Sequence, residues 1–442
     1  MKKLINDMKP LSDLDGFSQY ANSVVSIPDS AFMMARKENS RLLLVTGERR
    51  SAFQGEEVGP YKICPLSHVN NHALRGALTW LSPTAIDEHS ISVGMGDRLG
   101  RATVGHLEAV RGTGVQPVLA QQSVRELTLT GRTFEGVLAD AVWGVFQAGF
   151  KEKFGADGDH LKTREAVAEA IQAGYNMITL DCSELIRNNV YGLDETERYR
   201  LFQEIPAERI RSYKSRYLEQ KLPIGQIDEA TLIESVLVYA EAVEFADEIY
   251  QRFLKGRPDI SFEVSVDETD FPTTEFSHFF VATELIEKRQ VRVVSLAPRF
   301  VGEFQKGIDY IGDIRLFEEQ LQAHQAIADL FGYKISFHSG SDKFSIFPSA
   351  ARITNYRYHL KTAGTSWLEF VHLVSIMDPT LFKELYQFSL ENLDRAKKSY
   401  HVNVTPESCP VIDHFEPENY RALLLDDNAR QLLHINYGNI LQ

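Results

Sequence analysis

The sequence predicts an α/β protein built as a (β/α)₈ barrel of TIM type, with an N-terminal extension and a helical insertion after the fourth strand. Three observations carry this. Short strand-like runs alternate with helix-like segments along most of the chain, the pattern of a parallel sheet built from βα units. The runs number eight, the count that closes such a barrel. Charged residues gather at the C-terminal ends of these runs, where barrels of this kind build their sites.

The first stretch of about 85 residues holds one clear strand, "RLLLVTG" (41–47), and is read as a cap or small subdomain (1–85). Residues 86–442 are read as the barrel domain. Its strand candidates are "ISVGMGDR" (91–98), "QPVLAQQS" (116–123), "KFGADGDH" (153–160), "NMITLDCS" (176–183), "DISFEVSVDE" (259–268), "RVVSLAPRF" (292–300), "KISFHSGSD" (334–342) and "YHLKTAGTS" (358–366). The stretch from about 187 to 256 is too long for one crossover and rich in helix formers, so it reads as a helical insertion. In "DIRLFEEQLQAHQAIADLFG" (313–332), Ile314, Phe317, Leu321, Ile327 and Phe331 share one helical face. Asp313 fits its N-cap and Gly332 its C-terminal stop. Further helices follow the eighth strand.

Composition narrows the function classes. With 43% hydrophobic and 24% charged residues the 442-residue chain is globular. No apolar run reaches the roughly 18 residues that a membrane span needs. The start, "MKKLINDMKPLSDLDG", has no apolar core of a signal peptide, so a cytoplasmic location is expected. Three scattered cysteines, Cys64, Cys182 and Cys409, give neither a disulfide framework nor a thiolate metal site. A net charge of −14 argues against nucleic acid and anionic membranes as partners. A small anionic substrate remains compatible, because it needs only a local group of cations, and a homo-oligomer is left open.

Alternation in the strands selects the interior residues. In the fifth strand Phe262, Val264 and Val266 share one face, and Ser261, Glu263, Ser265 and Asp267 the other. In the seventh, Ser336 and His338 oppose Ile335 and Phe337; in the eighth, His359 and Lys361 oppose Tyr358 and Leu360. Arg299 ends the sixth. Asp157 and Asp159 share a parity in the third strand, and His160 reaches the same side only if the strand has ended by then. Buried carboxylates must be protonated, paired or metal-bound. His160, His338, Glu263 and Asp267 are the residue types of a divalent-metal site with nitrogen and oxygen ligands. His324, on an apolar helical face, and His106 read as core histidines. The glycines from Gly94 to Gly100 have one residue too many for a dinucleotide loop, and neither a phosphate loop nor a nucleophile elbow is present.

The chain resembles the tagaturonate epimerases of bacterial hexuronate catabolism. The resemblance rests on "GDRLG" (96–100), "AQQSVRE" (120–126), "TGRT" (130–133), "WGVFQ" (143–147), "FGADGDHLK" (154–162), "FEVSVDET" (262–269), "EFQKGIDY" (303–310), "YKISFHSGSDKFS" (333–345) and "HLKTAGTS" (359–366), with "KKSYH" (397–401) and "RQLLHINYG" (430–438) beyond them. It implies an enzyme that interconverts D-tagaturonate and D-fructuronate with a divalent cation (Zn, Mn, Fe, Co or Ni). It implies Asp159 as proton acceptor, Glu263 as proton donor, and His160 and His338 as metal ligands. A third ligand is expected from the loop after the sixth strand; Glu303 has the chemistry, and Gln305 stands where a relative has glutamate. The inverted carbon is not adjacent to the ketone, so retro-aldol cleavage and re-addition is expected. Arg299, Lys306, Lys343 and Lys361 are candidates for the substrate carboxylate, with Arg98 and Arg125 behind them, and Asp267 is a further candidate for binding substrate. Two other classes keep parts of the pattern. A different metal-dependent sugar isomerase or aldolase would keep the ligands, and a non-catalytic uronate-binding protein would keep the cations.

Overall fold

A computed structural model describes residues 16–442. Residues 1–15, part of the expected cap and of the start read as lacking a signal peptide, lie outside the described residues.

The N-terminal part is a six-stranded antiparallel sheet. Its strands are β1 (Phe17–Gln19), β2 (Val25–Ser26), β3 (Ser30–Lys37), β4 (Ser40–Gly47), β5 (Glu56–Val58) and β6 (Tyr61–Pro65), in the order β1-β3-β4-β6-β5 with β2 on β3. Only β4 was expected from sequence. The others are too short to show a period, or, like β3, are buried over six successive residues and so lack alternation.

Eight parallel strands then close into a barrel in chain order. They are β7 (Ser92–Met95), β8 (Gln116–Ser123), β9 (Gly155–Leu161), β10 (Met177–Asp181), β11 (Ser261–Val266), β12 (Ser295–Pro298), β13 (Lys334–Phe337) and β14 (Tyr358–Thr362), with β14 pairing back onto β7. All eight candidates are present, most of them trimmed at the ends where polar residues leave the ladder. Gly94 in β7 has a packing reason: a Cβ there would fall 1.4 Å from the Gln121 side-chain oxygen.

The third barrel strand is irregular. Asp157 pairs with Met177 and Gly158 with Ile178, but Leu161 pairs with Leu180. Two residues, Asp159 and His160, therefore oppose one, which defines a β-bulge. His160 carries it with φ +53°, a left-handed conformation that costs a non-glycine residue roughly 1–2 kcal/mol. The extra residue breaks the strict alternation, so consecutive side chains reach the same side.

Between β10 and β11 the chain runs through helices Glu195–Gln203, Ala207–Tyr217 and Glu229–Ile249. Tyr217 fastens them to the barrel by packing edge-on against Phe276 at 5.6 Å. Helix Ile314–Phe331 is capped by Asp313, which accepts from the Arg315 amide, and ends at Gly332 in the left-handed region. Phe317, Leu321, Ile327 and His324 are buried, whereas Ile314, in the first turn, is exposed. His324 is a core histidine, bonded Nδ1 to Nδ1 with His278 at 2.8 Å.

After β14, helices Thr365–Met377, Pro379–Glu391 and Asp427–Ile435 share a second apolar cluster around Trp367, Phe382 and Leu432. This layer brings Ser399, Tyr400 and His401 to the mouth of the barrel. At the opposite end Lys334 closes the base, donating to the carbonyls of Asp87 and Ser90 and to the Ser92 hydroxyl. Among the described residues no helix is long and apolar enough to cross a membrane.

Candidate active site

A cavity of about 610 Å³ opens at the C-terminal end of the barrel, within the range of small-ligand sites. Its floor is built by Lys361 from β14. The ammonium donates to Asp157 Oδ2 at 2.8 Å and to Asp159 Oδ1 at 2.7 Å, and lies 3.0 Å from Glu263 Oε1. It also donates to Thr179. Burial opposes its charge, but the three carboxylates outweigh that and hold its pKa well above the usual lysine value.

The carboxylates are not equivalent. Burial pushes Asp157 up to about 6 against the pull of Lys361, and Asp159 and Glu263 add to the rise. Burial also opposes the charge on Asp159, yet His160 and Lys361 hold it well below the usual carboxylate range. Glu263 is held low in the same way by Lys361 and His338, against burial. Its Oε2 accepts from the Ser295 hydroxyl at 2.5 Å. Glu263 is fully buried and lies one layer beneath the cavity, which it meets through His338 and Lys361.

Two histidines stand above this layer, with ring centroids 4.7 Å apart. His160 Nδ1 bonds Asp159 Oδ1 at 2.8 Å, and His338 Nε2 bonds Glu263 Oε1 at 2.8 Å. A carboxylate on one ring nitrogen fixes the tautomer and orientation that a metal-binding histidine needs. The ligand atoms of His160, His338 and Asp267 lie within 4.8 Å of one another. His338 Nδ1 is 3.1 Å from Asp267 Oδ2. Burial opposes protonation of His338, but Asp267 and Glu263 push its pKa up to about 10. The donor set, two imidazoles and a carboxylate, suits a divalent ion. His160 also approaches Asp181 and Glu268, but Lys162 lies 3.4 Å from Asp181 and 3.7 Å from Glu268 and already supplies the positive charge there.

The geometry sorts the remaining candidates. Glu303 stands at the rim, its side chain 41% exposed and 3.6 Å from His401, whereas the group whose ligand atoms converge on the two histidines includes Asp267. In the loop after β12 Glu303 pairs its backbone with Ile311 and lines the outer part of the cavity beside His401. Gln305 is buried, accepting from the Asn403 amide and from Gln431. Lys343 does not reach the cavity: its buried ammonium donates to the carbonyls of Gln305, Ile308 and Ser341. Arg98 is sealed against Glu126 at 2.9 Å and stacks on Tyr437. Asp342 pairs with Arg430 at 2.9 Å and so ties the loop after β13 to the C-terminal helices. Arg299, Lys306, Arg125 and Lys361 do line the cavity.

Asp157 and Thr179 complete the floor without having been singled out. Asp157 shares a parity with Asp159, and Thr179 is a polar residue on an otherwise apolar strand with the parity of Asp181, which was the available signal.

Comparison with known proteins decides the family. The tagaturonate epimerase family model matches residues 20–442. The chain belongs to the tagaturonate epimerase family. The epimerase is 42% identical over 439 residues to the tagaturonate/fructuronate epimerase of Thermotoga maritima, covering 97% of this chain and 90% of the relative. Crystal structures of the fructuronate-tagaturonate epimerase of Cohnella laeviribosi, one native and one with glycerol, superpose on this epimerase with a TM-score of 0.95 at 42% identity. They cover 100% of this chain and 91% of theirs.

Proposed function

We propose that this chain interconverts D-tagaturonate and D-fructuronate with a divalent cation held by His160, Asp267 and His338. The observation that carries the reading is the paired arrangement of the histidines: each has one nitrogen bonded to a carboxylate, and one ring nitrogen of each lies within 4.8 Å of the other and of an Asp267 oxygen. A cation bound there would act as a Lewis acid toward the ketone.

The sugars differ at a carbinol carbon one bond removed from the carbon next to the ketone. Removing a proton beside the ketone does not invert it. Breaking the bond between the two carbons does, if the resulting aldehyde turns over before the bond re-forms. Asp159 suits the first proton transfer. Both hydrogen bonds that it accepts fall on Oδ1, which leaves Oδ2 to take the hydroxyl proton. Lys361, which faces the cavity, gives a proton to the new alkoxide after re-addition and recovers it from Asp159, which it touches at 2.7 Å; Glu263 serves this donation through Lys361, 3.0 Å away, whose charge it sustains. Thr179 and Ser295 hold the two carboxylate layers in place.

The test combines a tagaturonate assay, with and without metal removal, and substrate deuterated at the inverted carbon. Loss of activity without metal, full retention of label and no primary isotope effect are expected. A large primary effect overturns carbon–carbon cleavage, and activity after complete metal removal overturns the metal.

A further inference from the structure

Positive charge in the cavity is mostly committed. Lys361 is shared among three carboxylates, Arg98 and Lys343 are sealed in the wall, and Arg299 is tied by its guanidinium to the Thr269 carbonyl and is not among the charges that act on Lys306. Lys306 and Arg125 are different. Lys306 donates to Ser339 Oγ at 3.0 Å, and no carboxylate of the described residues pairs with it. An ammonium has three protons to donate. Arg125 donates to the Ser399 carbonyl at 2.9 Å and stacks on Tyr400 at 4.6 Å, also without an ion pair among the described residues.

The two cations act on each other. Burial lowers the pKa of Lys306, and Arg125 is the next largest cause of the fall. Like charges brought together in a half-enclosed cavity are unfavourable unless an anion joins them. The carboxylates that act on Lys306, Glu126 and Asp159, offset part of this but are already paired with Arg98 and Lys361. His434 fills the wall behind, fully buried, with neither ring nitrogen hydrogen-bonded. Its Nδ1 would lie 3.2 Å from a Cβ on Gly307, and its ring 1.7 Å from one on Gly364. The imidazole therefore wedges between the backbone that follows Lys306 and the start of helix Thr365–Met377. Burial and the surrounding cations hold it neutral. That helix has no side-chain cap, and Gly364, Ser339 and Ser341 line the cavity, so neutral donors surround the cation pair.

We propose that Lys306 and Arg125 form the subsite that takes the carboxylate of the substrate and so selects sugar acids over neutral sugars. The proposal rests on the reading of the substrate as a uronate. Arg125 offers the planar fork that matches a carboxylate, and Lys306 the point charge beside it.

The test measures kcat and KM for tagaturonate, beside D-tagatose, which has an alcohol in place of the carboxylate. Lys306→Met should raise KM for tagaturonate at least about tenfold and shrink the preference for the acid by a similar factor. Lys306→Arg should restore most of both. An unchanged KM, or an equal rise for both sugars, overturns the subsite. If Lys306→Met does not fold, Arg125→Met, whose side chain is exposed, carries the same test with the same two outcomes. Failure of the wild type to turn over tagaturonate overturns the functional reading instead. The subsite is then judged by calorimetry with D-galacturonate and D-galactose. A preference for the acid that Lys306→Met abolishes supports it, and equal binding of the two overturns it.

Discussion

Lys361 on β14 and Asp157 on β9 meet across the barrel interior, with the ammonium 2.8 Å from the carboxylate. The strands are not neighbours in the sheet, so the contact spans the interior and ties the two sides of the site together. One ammonium serves Asp157, Asp159 and Glu263, and the rise of Asp157 to about 6 relieves part of the excess negative charge.

Removing that ammonium should be costly. Lys361→Met leaves three buried carboxylates without their cation, and about 3–5 kcal/mol of stability should be lost, as for other broken buried pairs. Adding Asp157→Asn should recover part of the loss, because it removes one of the stranded charges. Denaturant unfolding of the single and double variants reads the non-additivity. Strictly additive losses would show that Asp157 and Lys361 do not depend on each other.

The third metal ligand can be assigned by metal content. Asp267→Asn should lose bound metal and activity together, because Asp267 approaches His338 at 3.1 Å. Glu303→Gln should keep both, since Glu303 stands at the rim beside His401. Elemental analysis of the purified variants separates the two, and the reverse pattern would place the ligand in the loop after β12.

Acid should unfold the protein through its buried neutral histidines. Burial lowers His324 from 6.5 to about 4, and His359 to about 3. A group depressed in this way contributes stability that is complete above 6.5 and is lost as pH falls toward its folded value, because the unfolded chain binds the proton first. His324 alone accounts for about 3 kcal/mol across that window at about 1.4 kcal/mol per unit. Urea midpoints should fall steeply between pH 6.5 and 4, and His324→Asn should flatten the slope by about one proton.

His434 and Gly364 should behave as a pair. Gly364→Ala places a Cβ 1.7 Å from the imidazole, a contact that must displace the ring or the helix start. The variant should be less stable by about 1–3 kcal/mol, the usual cost of overpacking. His434→Ala in the same chain should return most of the loss, read by thermal unfolding. If it does not, the closeness of Gly364 serves something other than the ring.

The sequence showed the site unevenly, for physical reasons. β11 alternates cleanly, so Glu263 and Asp267 could be placed in the interior from their parity alone. His160 could not, because a bulge depends on backbone conformation rather than on residue type. Lys306 and Lys343 look alike in sequence, each in a polar loop after a strand. Their fates diverge because carbonyls of the Gln305–Ile308 turn converge on Lys343 and leave Lys306 with a single serine. Glu303 has ligand chemistry, but its place at the rim beside His401 depends on the course of the loop after β12, which residue type does not reveal. In the N-terminal sheet, β1, β2 and β5 were hidden because two or three residues carry no period.

The bulge in β9 also limits how this site can be modified. The residue proposed to accept the proton and a histidine proposed to hold the cation are consecutive, and one left-handed residue sets the aim of both. Reshaping the strand to suit another ion would swing Asp159 with it. Only Asp159 and His160 stand between Gly158 and Leu161, so a single-residue deletion that restored strict alternation would remove one of the pair. Metal preference and proton transfer are therefore mechanically linked here. Engineering that seeks to change either should leave this stretch intact and work from Asp267 and His338, which follow β11 and β13 and do not share its backbone.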